Sequence, residues 1–257
     1  MNLKLSGLIT ATLLGAAALP AQAEICDVMI DESARVNRNA SVDCTSRIGA
    51  GTRVAADASV TYYSNIGEDV VIRRGARLEM GQANQGADVG AYAYVGPHAI
   101  LRDNARLGRS ARMETDAYVG DRSRVGQSSV VGVNAFVNTD SVIAGFSVVG
   151  NEANVGSETN VRSLAIVNTD VRLGDNVLIG SGVEIGSHSV IAAQVSIGQY
   201  TELGYNVNVG YNTRIARDVV IGNQVTIGRD VIIRRGATIQ DGMVIPAGTI
   251  IQAGVYY

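Results

Sequence analysis

The amino-acid sequence predicts an all-β solenoid, a parallel β-helix running from residue 24 to residue 257. Two periodic registers and one feature of composition predict it. An aliphatic side chain recurs at every sixth position, and a small or branched one follows each of them four places later. Glycine is abundant, 30 of 257 residues, against 3 prolines and no tryptophan, which suits many tight turns.

The aliphatic register begins at Ile30 and passes through Val36, Val42, Ile48, Val54, Val60, Ile66, Ile72 and Leu78. A second frame starts at Val89 and runs through Val95, Leu101, Leu107, Met113 and Val119 to Ile245 and Ile251. The two frames are separated by one break between Leu78 and Val89. Its residues, 79–88, are rich in Gly and Gln and read as a shortened turn or a small surface loop.

The second register holds Ala99, Ala105, Ala111, Ala117, Ser123, Ser129 and Ala135, then Val171, Val177 and Val183. Each lies two residues before the next aliphatic, so both point to the same side of a strand. The larger side chain fills the axis and the smaller one fits near a corner. The position just before the small residue favours Asn, Asp and Gly, as at Asn104, Asp116, Asn134, Asp140, Asp170, Asn176, Gly182, Asn206 and Asn212. These residues tolerate the left-handed backbone that a sharp corner requires.

A period of six excludes an amphipathic helix, whose period is 3.6. Segments such as Leu173-Gly174-Asp175-Asn176-Val177-Leu178 and Ile179-Gly180-Ser181-Gly182-Val183-Glu184 resemble the hexapeptide repeats of the left-handed parallel β-helix family. The resemblance covers nearly all of the chain after residue 23. It implies a triangular solenoid in which three hexads close one coil of 18 residues, giving about 12 coils and a rod roughly 55–60 Å long at ~4.8 Å per rung. Left-handedness is implied by the resemblance alone, because ordinary parallel crossovers are right-handed.

With that coil length, Cys26 and Cys44 stand one above the other in adjacent coils, within reach of a disulfide that would staple the first coil. Residues 1–23 read as a secretory signal peptide. Lys4 is followed by the apolar run 5–19, then Pro20 and the small-x-small site Ala21-Gln22-Ala23, with cleavage before Glu24. The run is too short for a membrane span, and no transmembrane segment is expected in the mature chain. The expected location is the periplasm, or outside the cell as a secreted or cell-surface protein, where a disulfide is favoured. Loss of Lys4, the only lysine, takes the formal charge one unit below the −3 of the whole chain, which does not suggest a nucleic-acid partner.

Many members of the resembled family are acyltransferases that use thioester donors and place a His where subunits of a trimer meet. The chain has two His, His98 and His188, both at the corner position of their hexads. Five coils separate them, roughly 24 Å, so they cannot share one site in a monomer. Either can act alone as a general base, although sequence fixes no acid as its orienting partner. The zinc carbonic anhydrases of the same family use three His per site, a set this chain lacks. No metal and no cofactor is expected, and no phosphate loop or calcium nonapeptide occurs.

The outer surface reads as ladders. Val130, Val148 and Ile166 stack on one face, and Phe146 and Leu164 stand on the adjoining corner. Together they form an apolar patch expected to serve as a subunit interface. Asp116, Asn134, Glu152, Asp170 and His188 line one corner, while Asp140, Glu158 and Asn176 line another. Arg102, Arg106, Arg109, Arg112, Arg122 and Arg124 form a basic belt suited to an anionic polysaccharide or lipid headgroups, or to pairing with Asp103, Glu114, Asp116 and Asp121. The last hexad is followed only by Tyr256-Tyr257, so the terminal coil is expected to be uncapped and to favour a homo-oligomer, fibre or docked partner.

Together these features suggest a non-catalytic extracytoplasmic protein with a structural, adhesive or surface-assembly role. The first alternative is an acyltransferase-like enzyme with His98 or His188 as base. The second is a carbohydrate- or cation-binding module.

Overall fold

A computed structural model describes residues 29–257. The signal peptide read over residues 1–23, and Cys26, lie outside the described residues. No described cysteine is free.

The chain is a left-handed parallel β-helix. Its strands are almost all two residues long, from Met29–Ile30 to Ile250–Ile251, and lie in three parallel sheets of 13, 13 and 12 strands. Each strand pairs with those three places before and after it, and the register steps by one coil: Val130 lies against Val148, and Val148 against Ile166. Three hexads therefore close one turn. The sheets beginning with Met29–Ile30, Arg35–Val36 and Ser41–Val42 are called the first, second and third faces.

The second residue of each strand points to the axis. Ile72, Leu101, Val137, Ile179 and Ile197 are buried there, together with Ala99, Ala117, Val171 and Val183 of the small register. Burying one such aliphatic contributes about 1.5–3 kcal/mol before chain entropy is subtracted. Each coil packs only on its neighbours, so these terms accumulate along the rod.

Corners carry the left-handed backbone. Asn104 (φ 57°), Asp116 (57°) and Asn176 (58°) sit there as their residue types predict. So do Phe146 (61°), Leu164 (64°) and both His, for which the backbone geometry costs more. Corner N–H groups also ladder between coils, as when His188 donates to the Thr169 carbonyl (3.1 Å).

Where the small register is Ser or Thr, the hydroxyl sits inside the prism and replaces a turn hydrogen bond. Ser123 donates to the Asn138 carbonyl (2.6 Å) and accepts from the N–H of Ser141 (3.1 Å). Among the described residues, no buried side-chain polar atom is left without a partner.

The break between Leu78 and Val89 stays within the solenoid. Gln82–Ala83 is a strand, and Ala83 pairs with Ile66 on one side and Leu101 on the other. The hexad is one residue short at its corner. Met80 takes the left-handed conformation (φ 49°), and Gly81 fills the small inward place, where a Cβ would meet Val95 Cγ1 at 2.7 Å. Among the described residues, no helix is long and apolar enough to cross a membrane.

Candidate functional site

His188 and Asp170 occupy the same corner, between the third and first faces, in adjacent coils. Their backbones are both left-handed (φ 61° and 53°), which projects one side chain above the other. His188 Nδ1 lies 3.1 Å from Asp170 Oδ2. An ionised carboxylate only accepts, so a neutral His188 ring making this contact carries its proton on Nδ1 and leaves the Nε2 lone pair free. His188 is 59% exposed and Asp170 37%, leaving the ring open to a solute while its orientation is held. The Arg172 guanidinium stands 3.9 Å from Asp170 Oδ1, on the neighbouring strand of the first face.

Sequence reasoning placed Asp170 in this ladder without assigning it to His188. The signal was the coil-length spacing between them; the rotamer that turns the ring onto the carboxylate is not encoded in spacing. His98 stands at the same corner five coils away, exposed, with no side-chain partner among the described residues. The two His form no common site.

The expected arginine belt divides. Arg102 pairs with Asp121 (3.2 Å), Arg112 with Glu114 (3.0 Å), and Arg122 grips Asp140 with two hydrogen bonds, the longer 2.8 Å. The hydrogen bonds from Arg122 hold the Asp140 carboxyl below the usual carboxylate range. Asp140 is thereby engaged by an arginine. Among the described residues, no group of three or more His, Cys, Asp or Glu converges to hold an ion. Arg106, Arg109 and Arg124 make no ion pair among the described residues. Arg106 and Arg124 are directly paired in register on the second face.

The apolar residues Val130, Val148 and Ile166 form one ladder on the third face, with Phe146 and Leu164 on the corner that leads into it. Phe146 (52%), Leu164 (60%) and Ile166 (38%) are exposed, and the two valines are half-buried.

No protein-family model matches the chain, and no curated protein matches it. Solved structures do. A GDP-perosamine N-acetyltransferase from Caulobacter crescentus, solved with CoA and GDP-perosamine, is 21% identical over 45% of this chain and 51% of its own, with a TM-score of 0.38. A UDP-N-acetylglucosamine acyltransferase from Campylobacter jejuni is 18% identical over 80% of this chain and 68% of its own (TM-score 0.32), and one from Bacteroides fragilis is 15% identical over 87% and 67% (TM-score 0.29). The chain spans about half the length of the perosamine enzyme.

These neighbours correct the leading expectation from sequence. The sequence suggests a non-catalytic structural, adhesive or surface-assembly rod, whereas the solved structures named above are acyltransferases. The physical reason for the misreading is that corner residues look alike in sequence whether they are solvated or oriented, and the acid partner of His188 was not assigned. In fold, the chain is a hexapeptide-repeat left-handed parallel β-helix.

Proposed function

We propose that the protein is an acyltransferase-like enzyme in which His188 is the general base and Asp170 its positioning residue. The observation that carries this reading is the 3.1 Å contact between His188 Nδ1 and Asp170 Oδ2, which leaves Nε2 as an oriented proton acceptor. An acceptor hydroxyl or amine bound at this corner gives its proton to Nε2 as its oxygen or nitrogen attacks an activated acyl carbonyl. The bond from the acyl carbon to its leaving group breaks, and the imidazolium returns the proton to that group. Arg172 supplies positive charge beside the pair.

The test is acyl transfer from a panel of activated acyl donors to amino and hydroxyl sugars, comparing the natural chain with His188→Asn and His98→Asn. His188→Asn is expected to lose about 10²–10⁴-fold in rate, the usual contribution of a general base. His98→Asn is expected to retain activity. Full activity in His188→Asn would remove the proposal.

Export and a Cys26–Cys44 staple belong to the same reading. Activity outside the cytoplasm restricts the acyl donor to groups available there. A staple closing a loop of this length contributes roughly 3 kcal/mol. Intact mass under non-reducing conditions, before and after reduction, checks both the cleavage before Glu24 and the bond.

A further inference from the structure

The second face carries a basic groove that continues well beyond the belt legible in sequence. Its outward ladder runs Arg35, Arg53, Val71, Asp88, Arg106, Arg124, each residue paired in register with the next. The adjoining corner adds Arg38, Arg74 and Arg109. Two shallow depressions lie along this line. One, of about 650 Å³, is lined by Arg35, Arg53, Arg73 and Arg74; the other, of about 470 Å³, by Arg106, Arg109 and Arg124. They share Arg73 and Ala91, so they form one continuous trough.

Among the described residues, two acids form ion pairs with it. Asp88 pairs with Arg73 (2.7 Å), and Asp57 with Arg74 (2.9 Å). Arg35, Arg38, Arg53, Arg106, Arg109 and Arg124 have no ion-pair partner among the described residues. Arg35 over Arg53 and Arg106 over Arg124 set like charges directly opposite each other on neighbouring strands, an arrangement that destabilises a sheet. The whole chain is net negative, −3, so this concentration of positive charge is local and not a reflection of composition.

We infer that this trough binds an acidic polysaccharide laid along the rod axis. Five rungs separate Arg35 from Arg124, roughly 24 Å at ~4.8 Å per rung, which calls for an extended ligand with repeated charges. Guanidinium groups match carboxylate and sulfate oxygens in pairs. Tyr92, 59% exposed, follows Ala91 at the edge of the trough, and its ring lies across Gly75, where a Cβ would meet Tyr92 Cδ1 at 2.6 Å. It offers a flat apolar surface to a sugar ring beside the charges. Among the described residues neither depression is lined by an aromatic ring, whereas proteins that hold single-stranded nucleic acid stack successive bases on several.

Binding of the full chain to polygalacturonate, dextran sulfate, neutral dextran, single-stranded DNA and phosphatidylglycerol vesicles tests the inference. The two acidic polysaccharides are expected to bind, neutral dextran is not, and affinity is expected to fall as added salt shortens the ~10 Å screening length. Arg106→Gln with Arg124→Gln should weaken binding at least tenfold, whereas Arg102→Gln with Arg122→Gln, which removes arginines already paired, should leave it within about twofold. All four side chains are on the outer surface, so the rod itself should persist, which circular dichroism checks. Equal weakening by both pairs, tighter binding to DNA or vesicles, or no binding to either acidic polysaccharide would overturn it.

Discussion

The N–H of Thr159 donates to the hydroxyl of Ser141, one coil away at 3.3 Å, while that hydroxyl donates to the Gly156 carbonyl at 2.8 Å. The same exchange links Ser123 to Ser141 and Thr159 to Val177, so one column of hydroxyls carries polar pairing through the apolar interior. Ser141 is fully buried. Ser141→Ala removes the hydroxyl that bridges the Thr159 N–H and the Gly156 carbonyl, leaving them the longer direct turn bond that Ala153 makes to Gly150 (3.3 Å), and should lower stability by about 0.5–1.5 kcal/mol. Ser141→Thr, which keeps the hydroxyl, should cost less. Denaturant unfolding of the two variants checks the order.

Asp170→Asn should lower kcat for the proposed acyl transfer and leave KM nearly unchanged, because in the proposed step Asp170 acts through His188. The loss is expected to be smaller than that of His188→Asn, and Asp170→Glu should recover part of it. Steady-state kinetics on the three variants separates an orienting carboxylate from a structural one, whose loss would reduce the amount of folded protein instead.

Leu164 holds a left-handed backbone, φ 64°, with a bulky exposed side chain, and Phe146 does the same one coil earlier. Asn tolerates that conformation better. Leu164→Asn should therefore stabilise the isolated chain by about 1 kcal/mol. Any self-association through Val130, Val148 and Ile166 should weaken in the same variant. Thermal melting paired with sedimentation velocity reads both effects, and a variant that melts lower with unchanged association would count against the apolar patch as a contact surface.

Much of this architecture is legible in the sequence, and the illegible part has physical causes. Aliphatic side chains at the axis and small ones at the corners are read directly, because no other fold uses a period of six in this way. Asn104 and Asn176 announce their corners; Leu164 and Phe146 do not, since nothing in their chemistry asks for a left-handed backbone. Ala83 is hard to recognise as an axial residue because it is smaller than every other member of its register. That one short hexad also conceals the basic trough: Val71 pairs with Asp88 across seventeen positions, as do the other pairs that span it, where pairs elsewhere need eighteen, so counting by eighteen never joins Arg53 to Arg106. His188 and Asp170 were visible as a stack, but their hydrogen bond depends on side-chain rotation.

Asp43 gives a pH dependence at the N-terminal end. Partial burial raises its carboxyl, but the N–H of Tyr62 and the hydroxyls of Ser46 and Thr45 outweigh burial and hold it below the usual Asp range. A depressed carboxyl contributes stability that is complete above the unfolded-state value, ~3.9, and is lost as pH falls through the lower folded-state value. The turn at Tyr62 and Tyr63 should hold at neutral pH and loosen only in strong acid. Hydrogen exchange at that turn, compared with Asp43→Asn, should differ at pH 7 and converge at low pH.

The short rung at Gly81 and Ala83 has a mechanical consequence. A column of repeating units transmits load through each joint in series, and here one joint is filled by a methyl group where its neighbours Ile66 and Leu101 bring larger side chains. Less apolar surface is buried at that joint, so under lengthwise load the rod is expected to part there first, dividing the section that holds Arg35 and Arg53 from the section that holds His188 and Asp170.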